Sequence, residues 1–392
     1  MTAPNNGFLL RAHSFFFILG AVYVGLVGLL MTPYFQRHAI YLNSLKFPFF
    51  ANFDNPEKYG LAPNKTVNLK ITTSDNEIIG AWFVMSDKYY QALPSIPSEP
   101  QQHIATALQR HPTILFFHGN AATRAVKARI NHYELFTSRL GVNVLAIDYR
   151  GFADSTGTPS EAGIVRDGRA GFDWLVENGA KPEDILIVGH SLGTGVASQV
   201  MAQIDAEKVP CRGVVLLAPF TSIRQLLHTY HFFGMLPLMK PTSMIPWMTN
   251  LISWALVHKF DTLQAVPNIN SSVLIAHAED DWDILHTHSD VLFEAFIDPL
   301  LPTVPLPHDA LSATPEEWQE ITRKQIERSQ KRKEIVETSV IPHFGTVSRA
   351  RVGGRSVTLV KTLFGAHDHI GEQEGVQDLI GRKFGLRVAN VD

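Results

Sequence analysis

Ile185-Leu-Ile-Val-Gly-His-Ser-Leu-Gly-Thr-Gly-Val-Ala197 is the stretch on which the fold turns. The apolar run Ile185 to Val188 reads as a strand buried on both faces, and Thr194 to Ile204 reads as a helix. Between them, Gly189-His190-Ser191-Leu192-Gly193 compresses strand into helix through one tight turn. A turn that sharp strains the backbone of its central residue, and side chains at Gly189 or Gly193 would clash with the adjoining strand and helix. Such strain is tolerated where it presents a hydroxyl at the carboxyl edge of a sheet, above a helix N-terminus. Ser191 is therefore the candidate nucleophile, held in a nucleophile elbow.

A serine hydroxyl is a weak nucleophile without a base. In sheets that carry such an elbow, the acid and then the histidine follow the serine along the chain. After the run Ser272 to Ala276 comes His277-Ala-Glu-Asp-Asp281. Asp281 is the preferred acid, Asp280 its alternate, and Asp283 a distant third. After the run Ser356 to Phe364 comes Gly365-Ala-His-Asp-His-Ile370. His367 is the preferred base, since a histidine in the loop after the last strand can reach back over the elbow. His369 is its alternate. A tetrahedral intermediate needs two backbone N–H donors. Leu192, the residue after the nucleophile, supplies one. The other is expected from His118-Gly119-Asn120-Ala121, with Asn120 first and Ala121 next. His118 reads as a support for that loop.

Working outward, strand-like runs recur at Thr113–Phe117, Asn143–Ile147, Gly213–Leu217, Ser272–Ala276 and Ser356–Phe364. Val67–Thr73 and Ile78–Met85 flank Ser74-Asp75-Asn76 and read as a hairpin. Helical segments lie between the later runs. One is expected to start at Thr158-Pro159-Ser160-Glu161, a capping box with proline at the first helical position. The alternation implies an α/β fold, with a mostly parallel twisted sheet and helices on both faces.

Two segments interrupt the alternation. Residues 222–260 hold Phe232, Phe233, Met235, Met239, Met244, Trp247, Met248 and Trp254, apolar enough for a helical lid, a pocket wall or a membrane contact. Residues 298–350 read as a second, charged insertion. It contains a capping box at Thr314-Pro-Glu-Glu317 and a basic run from Arg323 to Lys333 that reads as a solvated face.

The N-terminus has no charged residue between Arg11 and Arg37. Ser14 to Met31, at ~1.5 Å rise per residue, approaches the ~30 Å hydrocarbon core of a bilayer. Residues 1–36 are therefore expected to form an uncleaved, single-pass membrane anchor, 37–64 a linker, and 65–392 the catalytic domain. Flanking charge (Arg11 before the span, Arg37 and Lys46 after) leans the bulk of the chain toward the cytoplasm. The sequons at Asn64 and Asn270 would count only on a lumenal side.

With Lys+Arg 34 against Asp+Glu 37, net charge is −3, which disfavours nucleic-acid binding by bulk charge. The single cysteine, Cys211, excludes an intramolecular disulfide and a cysteine-based zinc cluster. His286-Thr-His288-Ser-Asp290 has the start of a metallo-hydrolase pattern. The next residue is Val291, however, and on a helix residues two apart do not share a face. Neither a metal nor a cofactor is expected.

These pieces together resemble the α/β-hydrolase superfamily over about residues 65–385. HGNAATR (118–124), DYRGFADSTGTPSEAG (148–163) and GHSLGTGVA (189–197) resemble more closely the membrane-anchored monoacylglycerol and lysophosphatidylserine lipases. Those proteins share one N-terminal transmembrane helix and an acid loop like HAEDD (277–281). The resemblance implies a serine lipase of single-chain acyl esters at the endoplasmic reticulum membrane, with its catalytic domain lumenal. It also supports Ser191, Asp281 and His367 by motif match. Two departures bear on substrate: the length of 298–350, and a histidine loop closer to the G-H-N-D loop of depalmitoylating relatives. The expected activity is hydrolysis of lipid acyl esters through an acyl-enzyme on Ser191. An acyl-protein thioesterase or serine peptidase with the same triad, and a non-catalytic membrane scaffold, are the alternatives.

Overall fold

The structure is a computed structural model, and it describes residues 6–229, 246–305 and 314–386. Its centre is a ten-stranded sheet of order β1-β2-β4-β3-β5-β6-β7-β10-β9-β8. The strands are β1 (Thr66–Thr72), β2 (Ile78–Val84), β3 (Thr113–Phe117), β4 (Asn143–Ile147), β5 (Ile185–His190), β6 (Gly213–Leu217), β7 (Val273–Ala278), β8 (Glu337–Ile341), β9 (Gly345–Val352) and β10 (Arg355–Thr362). Pairings from β4 through β10 in spatial order are parallel. Antiparallel strands flank them, β1 and β2 on one side, β9 and β8 on the other.

The central strands are apolar throughout because both faces are covered. Ile114 and Phe116 of β3 enter one core with Ile130, Tyr133 and Phe136 of the helix Lys127–Arg139 and Val376 and Ile380 of Glu374–Phe384. Leu115 and Phe117 enter the other, with Ile164 and Phe172 of Glu161–Glu177 and Val196, Val200 and Ile204 of Leu192–Ala206. Parallel strands all end at the same edge, so the loops after β3, β5, β7 and β10 meet there.

Four expectations need correction or restriction. The helix expected from Thr158 begins at Glu161, and its cap is Ser160, whose Oγ accepts from the Gly163 amide. Pro159 precedes the cap instead of occupying the first turn. Glu161 is occupied elsewhere: its carboxylate accepts from the amides of Lys259 and Phe260 and from Gln199.

Residues 298–350 do not form a separate charged insertion. The capping box at Thr314 and Glu317 starts the helix Pro315–Ile335, and the chain then adds β8 and β9 to the sheet. Glu337–Ile341 is an edge strand, mostly exposed, so it lacks the apolar run by which the other strands are read. The basic run on the helix faces acids: Arg323 with Glu320, Lys324 with Glu327, Arg328 with Asp298, Lys331 with Glu334 and Arg332 with Glu294.

Residues 37–64 are not a free linker. The helix Pro33–Tyr41 packs on the domain, with Tyr41 fully buried against Phe152, His258 and Phe260. Of the expected lid, the helices Ile223–Thr229 and Pro246–Ala255 are described. Phe232, Phe233, Met235, Met239 and Met244 lie outside the described residues. The N-terminal helix Asn6–Leu30 contains a stretch, Leu10–Leu30, long and apolar enough to cross a membrane.

The reassigned cap gives a test. Ser160→Ala should lower stability by about 1 kcal/mol in denaturant titration, the ordinary worth of an N-cap hydroxyl. The exposed Thr158→Ala should leave the midpoint unchanged; equal losses would return the cap to Thr158.

Candidate active site

Ser191 sits just past the end of β5 with φ 52° and ψ −121°, and the helix Leu192–Ala206 starts at the next residue. Both flanking glycines are required by contact. A Cβ on Gly189 would lie 2.3 Å from the Gly193 carbonyl oxygen, and one on Gly193 would lie 2.1 Å from the Phe117 carbonyl oxygen. The strained residue is held by its own amide, which donates to Leu217 O of β6 at 3.0 Å.

His367 reaches Ser191 from the loop after β10. The Ser191 hydroxyl lies 2.9 Å from His367 Nε2, and His367 Nδ1 lies 2.8 Å from Asp281 Oδ2. Asp281 comes from the loop after β7 and is buried. Burial acts to raise the carboxyl pKa of Asp281, but hydrogen bonds from His277 and His367 outweigh it and hold the group well below its usual range. Burial likewise acts to lower the His367 pKa, and the Asp281 carboxylate outweighs it, so the imidazole is held above its ordinary value. The arrangement can take a proton from the hydroxyl and carry it as a stabilised imidazolium.

Neither the Leu192 nor the Asn120 N–H has a partner among the described residues, while the Ala121 amide is spent on Tyr41 O at 2.8 Å. That distinguishes Asn120 from its alternate. Gly119 has Ser191 at its side: a Cβ there would meet Ser191 Cβ at 3.2 Å. A cavity of about 220 Å³ opens here, lined by Gly119, Asn120, Arg129, Ser191, His367 and Asp368 among others.

The remaining candidates have other partners. Asp280 accepts from the Ala366 amide at 2.7 Å and so braces the histidine loop. His369 is exposed and pairs with Glu372. Asp283 donates its amide to Asp281 Oδ1, and burial raises its own pKa. His118 contacts Gly119 O through Nδ1 and lies 3.2 Å from Asp148 through Nε2, behind the loop. His286, His288 and Asp290 do not converge on one point: His288 turns inward to Thr221, and His286 pairs along its own helix with Asp290. Asp281, Asp283 and His367 lie close enough to share a cation. Asp281, however, already accepts from His277, His367 and the amides of Asp283 and Ile284.

Three further residues, none of them a candidate from the sequence, shape the site. His277 is fully buried; its Nε2–H reaches Asp281 Oδ2 at 3.1 Å and Ile284 O at 2.9 Å, while Ser289 donates to its Nδ1 at 2.6 Å. It fixes the carboxylate from behind. His190, whose pKa burial and the nearby His367 and His132 push well down, donates from Nε2 to the His367 carbonyl at 2.9 Å. Arg129 is buried, and its Nη2 donates to the carbonyls of Gly119, Asn120 and Ala121 at 3.3, 3.1 and 2.7 Å. Pinning those carbonyls sets the direction of the intervening amides. Arg129 lies in a mostly polar stretch, Lys127 to His132, and His277 opens the HAEDD loop; neither position by itself signals its contact.

A serine in a strained strand-to-helix turn, backed by a histidine and a buried acid from later loops, defines an α/β protein of the hydrolase type. Residues 114–351 match the alpha/beta hydrolase family, and the chain belongs to it. Its similar relatives include the lysophosphatidylserine lipase ABHD12 of Bos taurus, 35% identical over 68% of this chain and 65% of that protein. The Gallus gallus lysophosphatidylserine lipase ABHD12 is 32% identical over 69% of this chain and 71% of its own. A crystal structure of an alpha-beta hydrolase from Vibrio vulnificus shares the fold, with a TM-score of 0.53 at 14% identity, covering 89% of this chain and 92% of that one.

The charge arrangement predicts a pH profile. A base must be neutral to work, so kcat/KM on an activated ester should rise with pH through a midpoint above the ordinary imidazole value of about 6.5. Asp281→Asn removes the anion that supports the imidazolium. The midpoint should fall and kcat drop by ~10⁴; an acid limb unmoved by the substitution would show that another group titrates.

Proposed function

We propose that the protein is a membrane-tethered serine hydrolase that cleaves carboxylic esters of single-chain lipids, a lysophospholipid or monoacylglycerol. The observation that carries the reading is the hydrogen-bonded chain from the Ser191 hydroxyl through His367 to Asp281, beside a cavity that Asn120 also lines. The names of the similar relatives and the membrane-length helix support a lipid substrate.

In this reading Ser191 Oγ attacks the acyl carbonyl while its proton passes to His367 Nε2. The amides of Leu192 and Asn120 bind the oxyanion, a contact worth ~10²–10³ in turnover per donor. The tetrahedral intermediate collapses, the ester C–O bond breaks, and His367 returns the proton to the departing alcohol. Water then repeats the sequence on the acyl-enzyme, its proton going to His367, and the fatty acid leaves with Ser191 restored. Asp281 stays ionised throughout and holds the imidazole in the tautomer that presents Nε2 to the hydroxyl. The helix Leu10–Leu30 would anchor the enzyme as a single-pass protein of the endoplasmic reticulum membrane, beside its substrate.

The test is fluorophosphonate labelling of the purified chain with Ser191→Ala as control, run beside release of fatty acid from lysophosphatidylserine, monoacylglycerol and an acylated peptide. Labelling that vanishes in the variant, with fatty acid freed from the glycerolipids, is the expected result. Serine-dependent labelling with turnover of the peptide alone would make the protein a thioesterase. An absence of labelling in folded protein would overturn the enzymatic reading.

A further inference from the structure

The segment joining the apolar N-terminal helix to the catalytic domain crosses the loop proposed to hold the oxyanion. The Ala121 amide donates to Tyr41 O at 2.8 Å, the Ala122 amide to Leu45 O at 2.8 Å, and the Thr123 amide to Phe47 O at 3.0 Å. These contacts hold the amide side of the loop whose carbonyl side Arg129 holds. Ala121 and Ala122 have φ of 53° and 52°, a left-handed conformation that alanine adopts only when surrounding contacts impose it. The crossing segment is itself stapled in place. Asn43 Nδ2 donates to Gly151 O at 3.0 Å, and Lys46 Nζ donates to Ala153 O at 2.7 Å.

The other face of this segment is apolar and bare. Leu45, Phe47 and Phe49 are more than half exposed, and Phe50 is 100% exposed. Phe47 and Phe49 stack edge to face, 5.7 Å between ring centres. Tyr34 and Phe35, just past the apolar helix, are also exposed. A cluster of that kind in water marks an interaction surface. The helix Leu10–Leu30 supplies the occupant, because aromatic side chains concentrate at the membrane–water interface beside a span. The helix Pro33–Tyr41 does not carry the chain away from that interface. Its Ile40 lines a small apolar cavity together with Val27 and Leu30 of the apolar helix. The segment that follows Tyr41 therefore starts at the level where the span ends.

We propose that residues 41–50 form a two-sided strap: the side chains of Phe47, Phe49 and Phe50 enter the interfacial layer of the bilayer that the N-terminal helix crosses, while the carbonyls of Tyr41, Leu45 and Phe47 hold the oxyanion loop in its working conformation. The membrane anchor is then part of the positioning machinery of the active site, and the strap residues Asn43 and Lys46 are positioning residues. The second half of this proposal rests on the proposed role of Ser191.

Both halves can be read in the full chain reconstituted in phosphatidylcholine vesicles. Phe50→Cys carries an environment-sensitive fluorophore. Burial pushes the Cys211 thiol up to about 12, so the introduced thiol labels first at neutral pH. Lipids brominated near the headgroup should quench the probe at position 50. They should not quench it at Lys181→Cys, just before the amino end of β5 and so at the sheet edge opposite Ser191. Equal quenching at both positions, or none at 50, overturns the docking. For positioning, Asn43→Ala/Lys46→Ala is assayed on a water-soluble short-chain ester, with active sites counted by fluorophosphonate titration. Turnover per titrated site should fall about tenfold with KM little changed, as expected when a loop carrying an oxyanion donor is loosened. Fewer titratable sites with unchanged turnover per site would mean a merely structural strap and would overturn the coupling. A wild type that takes no Ser191-dependent label overturns the catalytic reading and the coupling with it, and leaves the quenching data to judge the docking alone.

Discussion

Everything at the site depends on one close approach, that of Gly193 to the end of β3. A Cβ at this position would lie 2.1 Å from the Phe117 carbonyl oxygen, so only glycine lets the elbow sit against the neighbouring strand. That contact brings the first turn of the helix Leu192–Ala206 against the start of the loop after β3. The Leu192 amide belongs to the first, and the Asn120 amide to the second. Two segments far apart in the chain are thereby brought together beside one serine by the packing of a single backbone pair.

The parallel sheet does the rest of the gathering. Strands β3, β5, β7 and β10 run the same way, so the loops that follow them share an edge. Asp281 and His367 arrive there for that reason, and their order along the chain follows from the order of the strands. Precision comes from the surrounding contacts. His277 and the Ile284 amide hold Asp281, Asp280 holds the Ala366 amide, and His190 holds the His367 carbonyl. None of these groups needs to touch a substrate. Each narrows the freedom of a member of the Ser191–His367–Asp281 chain or of its loop, which is how a few tenths of an ångström are preserved there.

Electrostatically the site separates two jobs. Asp281 is kept ionised despite burial, because its oxygens receive hydrogen bonds from the two imidazoles and from backbone amides. His367 is kept more basic than a buried imidazole would otherwise be, because that carboxylate faces it. In the neighbouring His190 and His118 burial outweighs the contacts that favour the charged form, Asp148 beside His118 included, and drives both toward the neutral form. Of the buried histidines around the loop, the one that faces Ser191 is therefore the one held above its ordinary value.

The local grammar of the chain determined the elbow, the central strands and the loops in which Asp281 and His367 lie. Short apolar runs and a glycine-bracketed serine are properties of neighbouring residues, and neighbouring residues are what a sequence displays. The antiparallel edge at β8 and β9 was not legible. An exposed edge strand has no buried face to write an apolar pattern, and the pairing of Gly345–Val352 with β10 is seen only once the sheet is assembled. The supports of the site were hidden for a related reason. Arg129 acts on the carbonyls of 119–121, and the residues after the apolar helix act on the amides of 121–123. Backbone groups are the same at every position, so a contact made to one imposes no residue type at the position it holds and leaves no motif there. The sequence alone could thus point to Ser191, Asp281 and His367 as candidates, whereas their mutual aim was decided by tertiary contacts, many of them between a side chain and a distant backbone group.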